Sequence, residues 1–229
     1  MTPDYAAPGV TLYRGDCLEV LRQLPEGAVD AVVTDPPYNV GLDYASYEDT
    51  REDYEEFSAR WLCAARRICR GPVAVSVGQA NLSLWARIAP PDWWLAWWKP
   101  AAMGRCVVGF NNWEPIALYG KPPGALCDVV RADIKPDRGL KGHPCPKPLG
   151  WGTRLVEMLC AEGGSVLDPF TGSGTVGVAC ALLGRGFIGI EQDAGYLGLA
   201  RRRITLARNS CPLFADQWEA PPLFTEASP

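Results

Sequence analysis

Continuous apolar runs alternate along this chain with stretches of helical period. Residues 10–14, 29–34, 73–77, 93–98, 114–119, 165–167 and 187–190 read as seven strands. The run 29–34 is apolar almost throughout, as expected where both faces of a sheet are covered. Residues 17–24, 54–70, 80–89, 149–160, 175–183 and 196–207 read as helices. In the second of these, Phe57, Trp61, Leu62, Ala65 and Ile68 share one face, and Gly71-Pro72 ends it. This alternation predicts an α/β fold with a doubly wound, mostly parallel sheet and ligands at the C-terminal edge of its strands. Residues 120–146 are rich in proline and glycine and have no period. An irregular stretch of that length inside a domain is usually functional. After Asn209 the chain turns polar and proline-rich, which predicts a single domain over 1–209 and an extended tail over 210–229.

Two motifs follow strands, where the fold rule places a site. The first is Asp35-Pro36-Pro37-Tyr38. It suits an exocyclic amino group on a nucleobase, which is a poor nucleophile because its lone pair is delocalised. Such a group needs two acceptors to hold it, and here the Asp35 carboxylate and the Pro36 carbonyl supply them. Pro36 and Pro37 stiffen the loop and offer no competing N–H, while Tyr38 can stack on a base taken out of a duplex.

The second motif, Asp168-Pro169-Phe170-Thr171-Gly172-Ser173-Gly174-Thr175, lies 133 positions later. With Gly177 it matches Gly-x-Gly-x-x-Gly, a pattern shared by sites for NAD, FAD and S-adenosylmethionine. Asp168 favours the last of these, because a carboxylate there repels a pyrophosphate and attracts an amino-acid ammonium. Glu191 ends the next strand and can accept from both hydroxyls of a ribose. Arg14-Gly15-Asp16-Cys17 ends the first strand in a similar way.

Together these motifs resemble the S-adenosylmethionine-dependent DNA amino-methyltransferases, which modify adenine N6 or cytosine N4. The order, catalytic motif before cofactor motif, resembles the circularly permuted β class. His143-Pro144-Cys145-Pro146-Lys147-Pro148 resembles the family's His-Pro-x-x-Lys-Pro segment, and the likeness spans about residues 10–207. The resemblance implies a seven-stranded Rossmann-like sheet with Asp35, Pro36, Pro37 and Tyr38 as the catalytic residues. It implies S-adenosylmethionine bound by Asp16, Cys17, Asp35, His143, Lys147, Asp168, Phe170, Thr171, Gly172, Ser173, Gly174, Thr175 and Glu191. In that scheme Asp16 lies by the adenine and Lys147 holds the methionine carboxylate. Asp-Pro-Pro-Tyr leans towards adenine, where Ser-Pro-Pro-Tyr would lean towards cytosine, so cytosine N4 is the alternative target. An NAD-dependent oxidoreductase also fits the glycines but leaves Asp35–Tyr38 unexplained. Pro144-Cys145 resembles the nucleophile of cytosine-C5 enzymes but stands away from the catalytic strand, so no covalent intermediate is expected.

Composition refines this picture. With 48% hydrophobic and 21% charged residues the chain fits a soluble globular domain. No apolar run reaches a membrane span and the first residues do not form a signal peptide, so a cytoplasmic protein is expected. Its nine cysteines are scattered without a Cys-x-x-Cys pair, which predicts reduced thiols and no metal site. A net charge of −4 argues against a polyanionic partner, but the charge is polarised. Residues 121–147 hold six bases against three acids. The resemblance implies double-stranded DNA as the partner, with target recognition between the two motifs, here 79–142, and the basic stretch offers contacts from Arg131, Lys135, Arg138 and Lys141. Trp93, Trp94, Trp97 and Trp98 read as core and strand packing, residues 39–56 as mobile without DNA, and Arg201-Arg202-Arg203 as a solvated face. A recognition region this short predicts a short target, loose specificity or a second subunit, and homodimers are common in the resembling class.

Overall fold

A computed structural model describes residues 1–44, 47–124, 127–134 and 145–210 of the protein. Lys135, Arg138, Lys141, His143 and the tail beyond Ser210 lie outside the described residues. Strands β1 (Tyr5–Ala7) and β2 (Val10–Arg14) lead into helix α1 (Cys17–Gln23) and strand β3 (Ala31–Thr34). A short hairpin, β4 (Asp43–Tyr44) and β5 (Tyr47–Glu48), precedes α2 (Tyr54–Ile68), β6 (Val73–Ser76) and α3 (Leu82–Ile88). Next come β7 (Trp93–Trp98), a second hairpin of β8 (Gly104–Cys106) and β9 (Gly109–Asn111), then β10 (Trp113–Tyr119) and β11 (Val129–Arg131). Helix α4 (Leu149–Leu159), β12 (Ser165–Asp168), α5 (Thr175–Leu183), β13 (Gly186–Glu191) and α6 (Ala194–Ser210) complete the order.

The main sheet has the order β1-β2-β13-β12-β3-β6-β10-β7-β11. All strands run parallel except β1 and β10, which are antiparallel to their neighbours. The seven strands anticipated from the apolar runs form its centre, and three-residue strands at the two edges raise the count to nine. Segments that short carry no readable period. β1 exists because Gly9, at φ +77°, folds it back onto β2.

Side-chain alternation divides the core in two. Leu12, Val33, Val166 and Phe187 face α4, α5 and α6, with Trp151, Leu155, Val176 and Ile204 packed over them. Tyr13, Val32, Leu167 and Ile188 face α1, α2 and α3, under Val20, Trp61, Leu62 and Trp85. Three layers result, and the centre of the sheet is sealed on both faces. From β3 the chain crosses through α2 to β6 on one side, and from β12 through α5 to β13 on the other. β3 and β12 are adjacent, so the strand order reverses between them and a crevice opens at their C-terminal ends.

Gly177 sits inside α5 because there is no room for a side chain. An added Cβ would lie 2.4 Å from Ile204 Cδ1 and 2.7 Å from the Phe187 ring. Gly177→Ala should therefore destabilise the domain by about 1–2 kcal/mol, overpacking outweighing the ~1 kcal/mol gained in helix propensity. Equilibrium urea unfolding measures this, and an unchanged midpoint would contradict the packing assigned here.

Candidate active site

The residue after β3 is Asp35, and the four-residue motif turns away from the sheet there. Its loop is held from several directions. The Tyr38 hydroxyl donates to Asp35 Oδ1 at 2.8 Å, and Tyr54 donates to the Pro37 carbonyl at 2.8 Å. Asn81 donates to the Tyr38 carbonyl at 2.6 Å. Gly78 lies flat against the tyrosine, where a Cβ would come within 3.1 Å of the ring. Asn39 follows at φ +58°, a left-handed conformation that asparagine tolerates. The buried carboxylate of Asp49 then accepts from the backbone N–H groups of Asn39, Val40 and Leu42 at 2.8–3.0 Å. The segment expected to be mobile is thus laced by one acid whose charge needs those donors. Among the described residues nothing donates to Asp35 Oδ2 or to the Pro36 carbonyl.

Behind Asp35 lies a buried cluster of charge. Lys147 Nζ is 2.9 Å from Asp35 Oδ1, 3.3 Å from Glu114 Oε2 and 3.1 Å from the Tyr38 hydroxyl. Lys99 Nζ meets Glu114 Oε1 at 2.6 Å. Both ammonium groups lie beside the Trp97 ring, 5.2 and 5.3 Å from its centroid. Burial works against the Lys147 charge, but Asp35, Tyr38 and Glu114 outweigh it and hold its pKa well above the ordinary value. Of the two acids that share this lysine, Asp35 is pushed up by burial. Glu114 is also penalised by burial, yet Lys147 and Lys99 bring it below its ordinary value. Lys147, expected at a cofactor carboxylate, lines the cleft and pairs with Asp35 and Glu114, two partly buried carboxylates within 3.3 Å of its ammonium. Glu114 and Lys99 belong to no motif in the sequence. An acid at the start of an apolar strand was their only signal.

The second motif leaves β12 beside the first. Asp168 is 3% exposed, and its Oδ1 accepts from Thr34 Oγ1 at 2.7 Å and from the Phe170 N–H at 3.1 Å. Burial pushes its pKa up to about 7. Glycine is required twice in this turn: Gly172 has φ +51° and Gly174 has φ +82°, with Gly174 pressed so close to Ala200 that a Cβ would lie 2.8 Å from that Cα. Glu191 closes the turn from β13. Its Oε2 accepts from the Gly172 N–H and its Oε1 from the Asp193 N–H, both at 2.8 Å, leaving lone pairs on each oxygen. Burial raises its pKa. Arg203, expected to be solvated, instead donates to the Ser173 carbonyl at 2.6 Å and pins the turn to α6. The Thr175 hydroxyl donates to the Lys147 carbonyl at 3.0 Å, tying α5 to the start of α4.

One cleft, with about 990 Å³ of empty space including its mouth, is lined by Asp16, Cys17, Asp35, Pro37 and Lys147 together with Asp168, Phe170, Thr171, Gly172, Ser173, Thr175 and Glu191. Asp16 caps α1 there, its Oδ1 accepting from the Glu19 N–H at 3.1 Å. Tyr47, Arg51 and Phe57 join the lining from the laced segment and α2, a contribution the sequence did not reveal. Gly174 and Tyr38 stand behind the wall, buttressing α6 and Asp35 respectively. Arg131 lies away from the cleft at the end of β11, stacked on Trp98 at 5.0 Å. Trp97 is buried as expected, but Trp93 and Trp98, at the ends of β7, are 58% and 39% exposed. Among the described residues no helix is long and apolar enough to cross a membrane.

Comparison with known proteins agrees with this geometry. The DNA methylase family profile (N6/N4) matches residues 120–202, which hold the second motif. Type II methyltransferase M.HpaI of Haemophilus parainfluenzae is 27% identical over 226 residues, covering 82% of this chain and 72% of its own. Type II methyltransferase M2.MboI of Moraxella bovis is 26% identical over 244 residues, covering 84% and 86%. Among solved structures, the cytosine-N4-specific PvuII DNA methyltransferase superposes with a TM-score of 0.73 at 18% identity, over 90% of this chain and 94% of that one. The putative DNA modification methylase TTHA0409 of Thermus thermophilus, in complex with S-adenosyl-L-methionine, does so with 0.59 at 26%, over 86% and 95%. The sequence relatives and the paired motifs point the same way: the chain is similar to DNA amino-methyltransferases of the N6/N4 type, and it shares the fold of the solved ones.

Proposed function

We propose that this protein methylates the N6 amino group of adenine in double-stranded DNA, using S-adenosylmethionine. The observation that carries the reading is the Thr34–Asp168 hydrogen bond at 2.7 Å. It holds the cofactor carboxylate beside the strand from which Asp35 projects. Asp35 Oδ2 and the Pro36 carbonyl then accept the two N–H bonds of the target amine and turn its nitrogen towards the cleft. When bound, the cofactor supplies a methyl group on a sulfonium, which is its own leaving group.

The residues present fit that cofactor. Asp168, buried and half-satisfied, suits an ammonium, and the left-handed glycines let a ligand approach the backbone. Glu191 keeps lone pairs for ribose hydroxyls, and Asp16 serves the adenine end. An aspartate in the first place of the catalytic motif supports adenine over cytosine N4. The likeness to a cytosine-N4 enzyme is at 18% identity and speaks for the fold alone. For the duplex we propose phosphate contacts from Arg131 and from Lys135, Arg138 and Lys141, within a recognition region over 79–142 of a single domain. The β8–β9 hairpin leaves the same edge of the sheet as Asp35, with Val107 and Val108 exposed at its tip.

Expression in a methylation-deficient host followed by mass spectrometry of DNA nucleosides should reveal N6-methyladenine. Asp35→Ala should abolish it while leaving S-adenosylmethionine affinity within a few fold, because Asp35 acts on the amine. N4-methylcytosine in its place would overturn the choice of base, and neither product would overturn the function.

Cofactor affinity should depend on pH through Asp168. With a pKa near 7, this acid is protonated at lower pH and must lose its proton to meet an ammonium. Calorimetry should show affinity rising about tenfold per unit towards pH 7 and levelling above it, whereas Asp168→Asn should bind weakly with no slope.

Neutralising Lys135, Arg138 and Lys141 together should lower DNA affinity and flatten its salt dependence by about 0.9 log unit per lost phosphate contact. A triple variant with an unchanged salt slope would move the phosphate surface elsewhere.

A further inference from the structure

Asp35 is asymmetrically partnered. Its Oδ1 takes both the Tyr38 hydroxyl and the Lys147 ammonium, at 2.8 and 2.9 Å. Its Oδ2 takes nothing from any described residue, although the side chain keeps 24% of its surface and lines the cleft. The groups that grip Oδ1 are themselves gripped by Glu114, whose Oε2 lies 3.3 Å from both Lys147 Nζ and the Tyr38 hydroxyl. Lys99 fixes the other oxygen of Glu114 at 2.6 Å. Two acids and two ammonium groups make the cluster neutral, and the Trp97 ring flanks both cations.

We propose that Glu114 and Lys147 are positioning residues for methyl transfer: they lock Asp35 Oδ1 through a shared ammonium and the Tyr38 hydroxyl, so that Oδ2 alone is presented to the target amine. The inference rests on the methyltransferase reading and adds to it two residues placed behind the acceptor. Lys147 alone would form a simple pair with Asp35 and follow it to any rotamer. Glu114, anchored on a central strand and by Lys99, holds the lysine in place and prevents that motion. It also divides the ammonium between two carboxylates, so Asp35 stays a strong acceptor. Glu114 stands outside the cleft lining, and Lys147 reaches Asp35 from the cleft wall.

Glu114→Gln removes the charge and keeps the shape. It should lower kcat for DNA methylation about ten- to hundredfold, the scale of a misplaced reacting group. KM for DNA and the dissociation constant for S-adenosylmethionine should stay within about threefold, because the residue acts on orientation. In an Asp35→Asn background the same change should have little further effect, since the group it positions is already impaired. Lys147→Met should lower kcat similarly, and Lys147→Arg should restore part of it. If Glu114→Gln does not fold, as judged by circular dichroism, Glu114→Asp keeps the charge but shortens the reach and should show the same split. An active wild type with unchanged kcat in these variants overturns the positioning role alone, as does a loss confined to cofactor affinity. A wild type that methylates no DNA overturns the parent reading and this role with it.

Discussion

Val166 pairs with Ala31 and Leu167 with Val32, and on this short parallel ladder the arrangement of the site depends. It joins two strands whose chain crossings then depart in opposite directions, which leaves a crevice at their C-terminal ends. Two carboxylates distant in sequence, Asp35 and Asp168, arrive at those ends side by side. The Thr34 hydroxyl bonds across the junction and fixes their relation. In a parallel ladder a slip of one residue would turn Thr34 to the opposite face and break this link. The sealed layers on both sides of the sheet make such a slip costly, because every buried side chain of β3 and β12 would exchange faces.

The two carboxylates meet different surroundings and acquire different chemistry. Among the described residues Asp168 is held by neutral donors, a hydroxyl and one backbone N–H, with no cation beside it, and burial pushes its pKa up to about 7. It is an acceptor prepared for a positive charge from outside the chain. Asp35 already has a cation, Lys147, and its free oxygen is suited to a neutral donor such as an amine. Placing two ammonium groups and two carboxylates in the interior costs several kcal/mol per ion in desolvation, recovered only when the geometry is good and the remaining polar atoms are bonded. Such a cluster adds little stability but specifies one arrangement of its side chains.

The glycine turn shows three physical uses of one residue type. Gly172 supplies a left-handed backbone, Gly174 the same with a close approach to α6, and Gly177 only space for Phe187 and Ile204. Glu191 and Arg203 then fix the turn from outside it, one accepting from the Gly172 N–H and the other donating to the Ser173 carbonyl. The rigidity of the cofactor loop therefore comes from β13 and α6 as much as from the motif.

Much of this was legible in the sequence. The central strands announce themselves as apolar runs because both of their faces are buried, and α5 spans Thr175–Leu183 as its glycine-bounded run implies. The segments Asp35–Tyr38 and Asp168–Thr175 could be picked out because each is a run of consecutive residues in one turn. What the sequence did not disclose depends on partners far along the chain. Glu114 acquires its role from Tyr38, 76 positions away, and Lys147 from a tyrosine 109 positions away. Asp49 looks like one acid in an acidic run until the backbone of residues 39–42 folds over it. The edge strands β1 and β11 are too short to show a period. Periodicity and motif report what a residue does with its neighbours in the chain. Which charges share a buried space is decided by strand order and register, and those exist only once the sheet has closed.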